Sequence, residues 1–136
     1  MDPKTIDELK EKIQFYEAVL DTMRNGVMIT DPEGKIVFFN KNYGKFFGIN
    51  PQDLIGKHCR EVVDNTRMHI VAKTGIAEIN HIQRIRGQDR IVQRIPIEKD
   101  GKVIGVFGQI MFKEVQDVLA LAGKINVLEI VRGWKK

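Results

Sequence analysis

The spacing of apolar residues changes repeatedly along this chain, and each change marks an element. Ile6, Leu9, Ile13, Tyr16, Leu20 and Met23 recur at alternating intervals of three and four, the signature of one stripe along an α-helix. Thr5, with Glu8 three residues later, has the form of a capping box that would start this helix. The seam lasts under three heptads, so either a helical partner or the chain's own sheet accounts for it. After Asn25 and Gly26 the runs VMIT and IVFFN flank DPEGK and predict a hairpin, with Pro32 presetting the turn and Gly34 in a left-handed position. Asn40 reads as the N-cap of a short helix closed by Gly48, and Asn50–Pro51 as a second cap whose turn runs out at Gly56. REVVDNTRMHIVAKTG predicts a further helix ending at Gly75. Three strand-like runs follow, AEINHIQRIR, DRIVQRIPI and VIGVFGQIMF, joined by the turns GQ and EKDGK, where Asp100–Gly101 is a strong hairpin signal. Val118, Leu121, Ile125 and Leu128 then share one face of an exit helix, with Gly123 as its weak point.

This order predicts an α+β domain: a five-stranded antiparallel sheet with short helices on one face, flanked by N- and C-terminal helices. The boundaries fall at 1–24 for the entry helix, 25–115 for the core and 116–136 for the exit helix. A length of 136 residues suits one domain. Hydrophobic residues at 43% and charged residues at 29% exclude long disorder. The single cysteine, Cys59, excludes a disulfide-stapled scaffold and points to a reducing compartment. No run approaches the roughly 20 apolar residues of a membrane span, and the polar start MDPKTIDELKEK does not resemble a signal peptide. The expectation is a cytoplasmic protein without membrane contact. The net charge of +4 is spread out. Its one concentration, Arg84, Arg86, Arg90 and Arg94, reads as solvated outward positions of a sheet, because no aromatic residues interleave for base stacking.

Chemistry is sparse. No nucleophile elbow, phosphate loop or dinucleotide turn is present, and His58, Cys59, His69 and His81 lack zinc-ligand spacing. The expectation is a domain without catalysis or a metal centre. Alternation suggests a pocket instead. Between Asp89 and Ile97 the odd positions Ile91, Ile95 and Ile97 are apolar and the even ones include Arg90 and Arg94, so the odd set, with Gln93, is expected to face inward. On the next strand the same phase would bring Phe107 and Gln109 inward. Buried amides cost about 1–3 kcal/mol each unless bonded, so Gln93 and Gln109 need either a ligand or protein partners. Arg67 and His69, in the helical segment before these strands, diverge on a regular helix but could both reach a cavity from its first turn or a loop. There they would favour a carboxylate or other anion; the alternative is that Arg67 pairs with Asp64 or Glu61 at the surface.

From about Tyr16 to Val115 the chain resembles a PAS domain. The resemblance rests on VLDTMRNGVMITDPEGKIVFFNKNYGKFFGINPQDLIGKH and continues in DGKVIGVFGQIMFKEV. The family's acidic-Ile-Thr triad before an output helix is replaced by Glu114, Val115 and Gln116. DNTRMHIVAKTGIAE and RIPIEKDGKVIGVFGQIMF are similar to the amino-terminal sensor of bacterial activators that work with the nitrogen-type alternative sigma factor. That resemblance implies a transcriptional activator whose ATPase and DNA-binding domains lie outside these 136 residues, with 116–136 as a signal-transmitting helix. It also raises two cofactors. GKHCREVV keeps Gly56, Cys59 and Arg60 of a flavin-sensor motif but has His58 in place of its Asn, and DRIVQRIPI offers neither of the flavin-holding Asn residues. His69 lies where haem-binding relatives carry their iron ligand. The expectation is a sensory module that binds a small molecule, an anion being the kind Arg67 and His69 would favour, at Arg67, His69, Gln93, Phe107 and Gln109. It would form a homodimer through Ile6, Leu9, Ile13, Tyr16, Leu20 and Met23. The alternatives are a haem or flavin sensor, and a ligand-free dimerisation module of a histidine kinase.

Overall fold

The computed structural model describes residues 2–114. The expected exit helix, with Val118, Leu121, Ile125 and Leu128, and the 115/116 boundary lie outside the described residues. Helix α1 spans Pro3–Asp21. Its start differs from the expected capping box: Asp2 is the N-cap, its side chain accepts from the Lys4 N–H, and Pro3 follows at the first helical position. Proline there sacrifices a donor that has no intrahelical partner, which moves the start ahead of Thr5. The helix turns outward. Ile6, Leu9, Ile13 and Tyr16 are exposed, whereas Leu20 and Met23 are half-buried near the domain.

Strands β1 (Gly26–Thr30) and β2 (Ile36–Phe39) form the predicted hairpin. Asp31 Oδ1 accepts from the N–H groups of Glu33 and Lys35, both at 2.9 Å, and closes the turn. Helix α2 (Lys41–Phe47) is capped by Asn40 and ends at Gly48 with φ 67°. A 3₁₀ turn follows over Pro51–Leu54, capped by Asn50. The helix expected to end at Gly75 is α4 (Met68–Thr74), and a separate single turn, α3 (Cys59–Val62), precedes it. Val63 is extended and Asn65 has φ 59°, so the chain bends between them and lets Val63 and Met68 enter one core.

Strands β3 (Glu78–Ile85), β4 (Gln88–Lys99) and β5 (Lys102–Glu114) complete a sheet of order β2-β1-β5-β4-β3 in which every neighbouring pair is antiparallel. Both long hairpins turn on two residues of positive φ, Arg86–Gly87 and Asp100–Gly101, the geometry whose twist matches paired strands. The short helices pack on one face, where Phe39, Tyr43, Phe47, Leu54, Val71 and Ile110 are among the buried core. Tyr43 and Phe47 stack with ring centres 5.0 Å apart.

One expected phase is reversed. On β4 the buried positions are Arg90, Val92 and Arg94, and on β5 the alternating buried set is Val106, Gly108 and Ile110, with Gly105 buried beside it. Gln93 and Gln109 stand directly opposite each other, half-buried, on the other phase, and Phe107 lies between Ile29 and Ile95 there. The expectation assumed that arginines mark the solvent face. Here Arg84 and Arg86 do stay exposed, but Arg90 and Arg94 are buried because each finds partners inside. Arg90 lies over the Phe46 ring at 4.7 Å, an arrangement that compensates a buried guanidinium.

Candidate functional site

The site begins with Arg94, only 2% exposed on β4 beside the edge strand β3. Its Nη1 donates to Glu78 Oε1 at 2.8 Å and its Nη2 donates to Gln83 Oε1. Gln83 in turn donates from Nε2 to the Asp64 carbonyl at 2.8 Å, tying the loop before α4 to the sheet. Glu78 also accepts from Arg67, whose Nε and Nη2 reach its carboxylate at 2.9–3.0 Å. One carboxylate thus sits between a buried guanidinium and a half-exposed one. An unpaired charge at the position of Arg94 would cost several kcal/mol.

A local irregularity makes this meeting possible. From the Arg86–Gly87 turn the β3–β4 register runs regularly back to His81 opposite Val92, and continued two residues further it would set Ile79 opposite Arg94. The register instead shifts between Glu78 and His81, where Asn80 has φ 55°, and Glu78 becomes the residue opposite Arg94. This extra residue on an edge strand re-aims a side chain, as bulges beside functional sites do.

Next to Arg94 lies a cavity of about 20 Å³, bordered by Met28, Tyr43, Met68, Gln83 and Gly108. That is room for about one water. Gly108 lies opposite both Met28 and Arg94. A Cβ on it would come within 2.7 Å of the Met68 sulfur, so the missing side chain is what lets Met68 cross the sheet. Burial raises the pKa of the Tyr43 phenol well above its ordinary value, so the hydroxyl stays protonated and able to donate. Arg94's own pKa is lowered by burial against the opposing pull of Glu78. Glu78's is lowered first by its bonds from Arg67, with Arg94 and His81 acting in the same direction and burial opposing.

The predicted site residues separate. Arg67 is bound to Glu78 and to neither Asp64 nor Glu61. His69, two residues on, turns to the other side of α4. Its ring centre is 5.7 Å from that of His58 and its Nδ1 is 4.0 Å from the Cys59 sulfur. Residues two apart on a helix point to nearly opposite sides, and both border only an open surface groove shared with Arg60 and Asp64. Gln93 and Gln109 border the cavity at their strand positions, whereas Phe107 does not reach it.

Cys59, which is buried, and His69, which is half-buried, lie off the cavity wall. His58 accepts the Arg60 N–H at Nδ1 and faces the Glu33 carbonyl with Nε2 at 3.1 Å, so it carries its proton on Nε2. Neither the cysteine of the partial flavin motif nor His69, the ligand of the haem alternative, lines the internal space, and these residues do not fit either cofactor there. Among the described residues no group of three His, Cys, Asp or Glu is placed to hold a metal. Among them, too, no helix is long and apolar enough to cross a membrane. Sequence reasoning missed Arg94, Glu78, Gln83 and Tyr43. The available signal was that both phases of β4 carry apolar residues, so polarity alone could not assign its faces.

Comparison with known proteins gives these features a context. Sensor protein CitS of Halalkalibacterium halodurans is 29% identical over 88% of this chain and 22% of its own length. A probable C4-dicarboxylate sensor kinase of Bacillus subtilis is 30% identical over 92% and 24%. A signal-transduction and transcriptional-control protein of Clostridium beijerinckii is 27% identical over 89% and 20%. The chain thus spans only a fifth to a quarter of these relatives. Among solved structures, the E. coli DhaR(N)-DhaL complex matches with a TM-score of 0.64 at 15% identity, over 79% of this chain and 38% of that one. The family model for the PAS fold matches residues 14–109. With that match across most of the sheet and its covering helices, the chain belongs to the PAS family.

Proposed function

We propose that this chain is the PAS sensing module of a sensor kinase, a non-catalytic part of a longer polypeptide that passes changes in its core to a kinase through its terminal helices. The observation that carries the reading is the similarity to a probable sensor kinase over 92% of the chain, beside that to a sensor protein over 88%. The geometry supports a relay. Asn40, fully buried, accepts from the Val27 N–H at 2.9 Å and donates to the carbonyls of Leu20 and Asn25 at 3.2 and 3.1 Å. One side chain therefore joins the last turn of α1, the start of β1 and the cap of α2. The exposed apolar residues Ile6, Leu9, Ile13 and Tyr16 then suit pairing with a second copy, so that a shift in the core changes how two entry helices meet.

On this reading the input is a small carboxylate, the class named in the C4-dicarboxylate relative, and the internal guanidinium of Arg94 replaces the Arg67–His69 pair as its receptor. A second reading, the sensor of a transcriptional activator, has the Clostridium relative in its favour. A graft separates the two. This chain replaces the matched segment of the B. subtilis kinase, and phosphohistidine formation is followed. Regulated phosphorylation in the hybrid supports the kinase reading; a folded hybrid whose phosphorylation no longer responds to the parent's stimulus opposes it.

A further inference from the structure

Arg94 is almost wholly buried and its charge is matched from within by Glu78. Glu78 differs from its partner in one respect: it stands on the edge strand, beyond the irregularity at Asn80, and also holds Arg67, whose side chain is 47% exposed. It can therefore rotate toward solvent without losing a cation. Its departure would empty the space of a carboxylate against Arg94, beside the existing cavity and its flexible methionines, Met28 and Met68. Gln83 would keep the guanidinium aimed there.

We propose that Glu78 is an internal plug for a carboxylate-binding site, displaced from Arg94 when a small free carboxylate enters between Met28, Tyr43, Met68 and Gln83. This rests on the sensing reading above but concerns binding alone. The incoming group meets the fixed guanidinium of Arg94, the donor that recognises a carboxylate, in a space bordered by the Tyr43 side chain. The plug keeps the buried charge matched in the free state, so the site is closed rather than strained. Because Glu78 begins the β3 strand that follows α4, its release changes how the edge strand sits on the sheet.

The test uses the 136-residue chain with sodium succinate and sodium acetate as probes, against sodium chloride at matched ionic strength. Thermal unfolding and the side-chain Nε–H signals of Arg94 and Arg67 in NMR spectra are followed together. Saturable succinate- or acetate-dependent shifts of the Arg94 signal in the wild type, with tenfold or tighter apparent binding in Glu78→Ala, are the expected result. Arg94→Met should remove the response; should that variant not fold, the wild-type Arg94 signal decides. A wild type that responds no differently to carboxylate than to chloride overturns the proposal, even where Glu78→Ala responds, since the site would then exist only when made by mutation. Equal affinity in the wild type and Glu78→Ala also overturns it, because Glu78 would not be the competitor. Failure here leaves the graft result untouched, and failure of the graft leaves the binding result untouched.

Discussion

Asn40 shows how one side chain can hold three elements. It accepts from Val27 and Tyr43 and donates to Leu20 and Asn25 with no exposed surface. Asn40→Ala leaves the Val27 N–H without its acceptor and removes the cap of α2. At about 1–3 kcal/mol for an unsatisfied buried group and about 1 kcal/mol for a cap, the expected loss is about 3 kcal/mol, measured by urea unfolding. Glu78 controls the acid response. Its pKa is held below the usual 4.5 by Arg67 at the N-cap of α4, Arg94 from β4 and His81 on its own strand. The folded state therefore gives up this proton more readily than the unfolded chain. The resulting stability is fully present above the ordinary carboxylate range and is lost as pH falls through the folded pKa. Glu78→Gln should lower stability at neutral pH and flatten the acid limb of a Tm-against-pH curve. An unchanged acid limb would mean that Glu78 is not ionised against Arg94. The cap at Asn40 was legible because Asn before a short apolar helix has a local reason. The Arg94–Glu78 pair was not legible, since it depends on one extra residue near Asn80 that only the register reveals.

Elements followed their local signals where those were strong and departed where tertiary packing intervened. The hairpins at Asp31–Lys35 and Asp100–Gly101 appear as their turn residues dictate. The helix closed by Gly75 appears as its C-cap dictates, but it spans only Met68–Thr74, because the chain bends at Val63–Asn65 so that Val63 and Met68 both enter the core. The faces of β4 were reversed for a similar reason: isoleucines occupy the outer phase, with Ile95 38% exposed, while two arginines are stabilised inside. Strand β5 offers a sharper test. A Cβ on Gly105 would meet the Thr30 carbonyl oxygen at 2.6 Å, which is backbone, whereas on Gly108 it would meet the end of Met68. Methionine can move and a central strand cannot. Gly105→Ala should therefore cost about 3 kcal/mol and Gly108→Ala about 1 kcal/mol, within the usual range for overpacking. Adding Met68→Leu should change only the second value if the clash is as described. Equal costs in urea unfolding would contradict this.

At the scale of the whole molecule, α1 and the sheet domain are joined mainly at one place. Lys41 donates its N–H to Asp21 at 2.9 Å and Asn42 bonds to the Met23 carbonyl, close to the contacts of Asn40. The first four seam residues contribute nothing to the core, whereas Leu20 and Met23 are part of its margin. Replacing Leu9 and Ile13 by Glu should convert a dimer to a monomer in sedimentation while leaving the domain's unfolding midpoint within about 1 kcal/mol, as expected for surface changes away from packed features. A wild-type chain that stays monomeric at high micromolar concentration would contradict the pairing. The sequence carried the α+β order and the PAS resemblance because turn and cap residues are local. It could not carry the binding face, which depends on strand register. The most direct test of the whole account joins the core to the output. In the hybrid kinase, Glu78→Gln is introduced and phosphohistidine is measured beside the unaltered hybrid at equal folded concentration. The account predicts a clear change in the basal level and a reduced response to stimulus; identical levels and an identical response would contradict it.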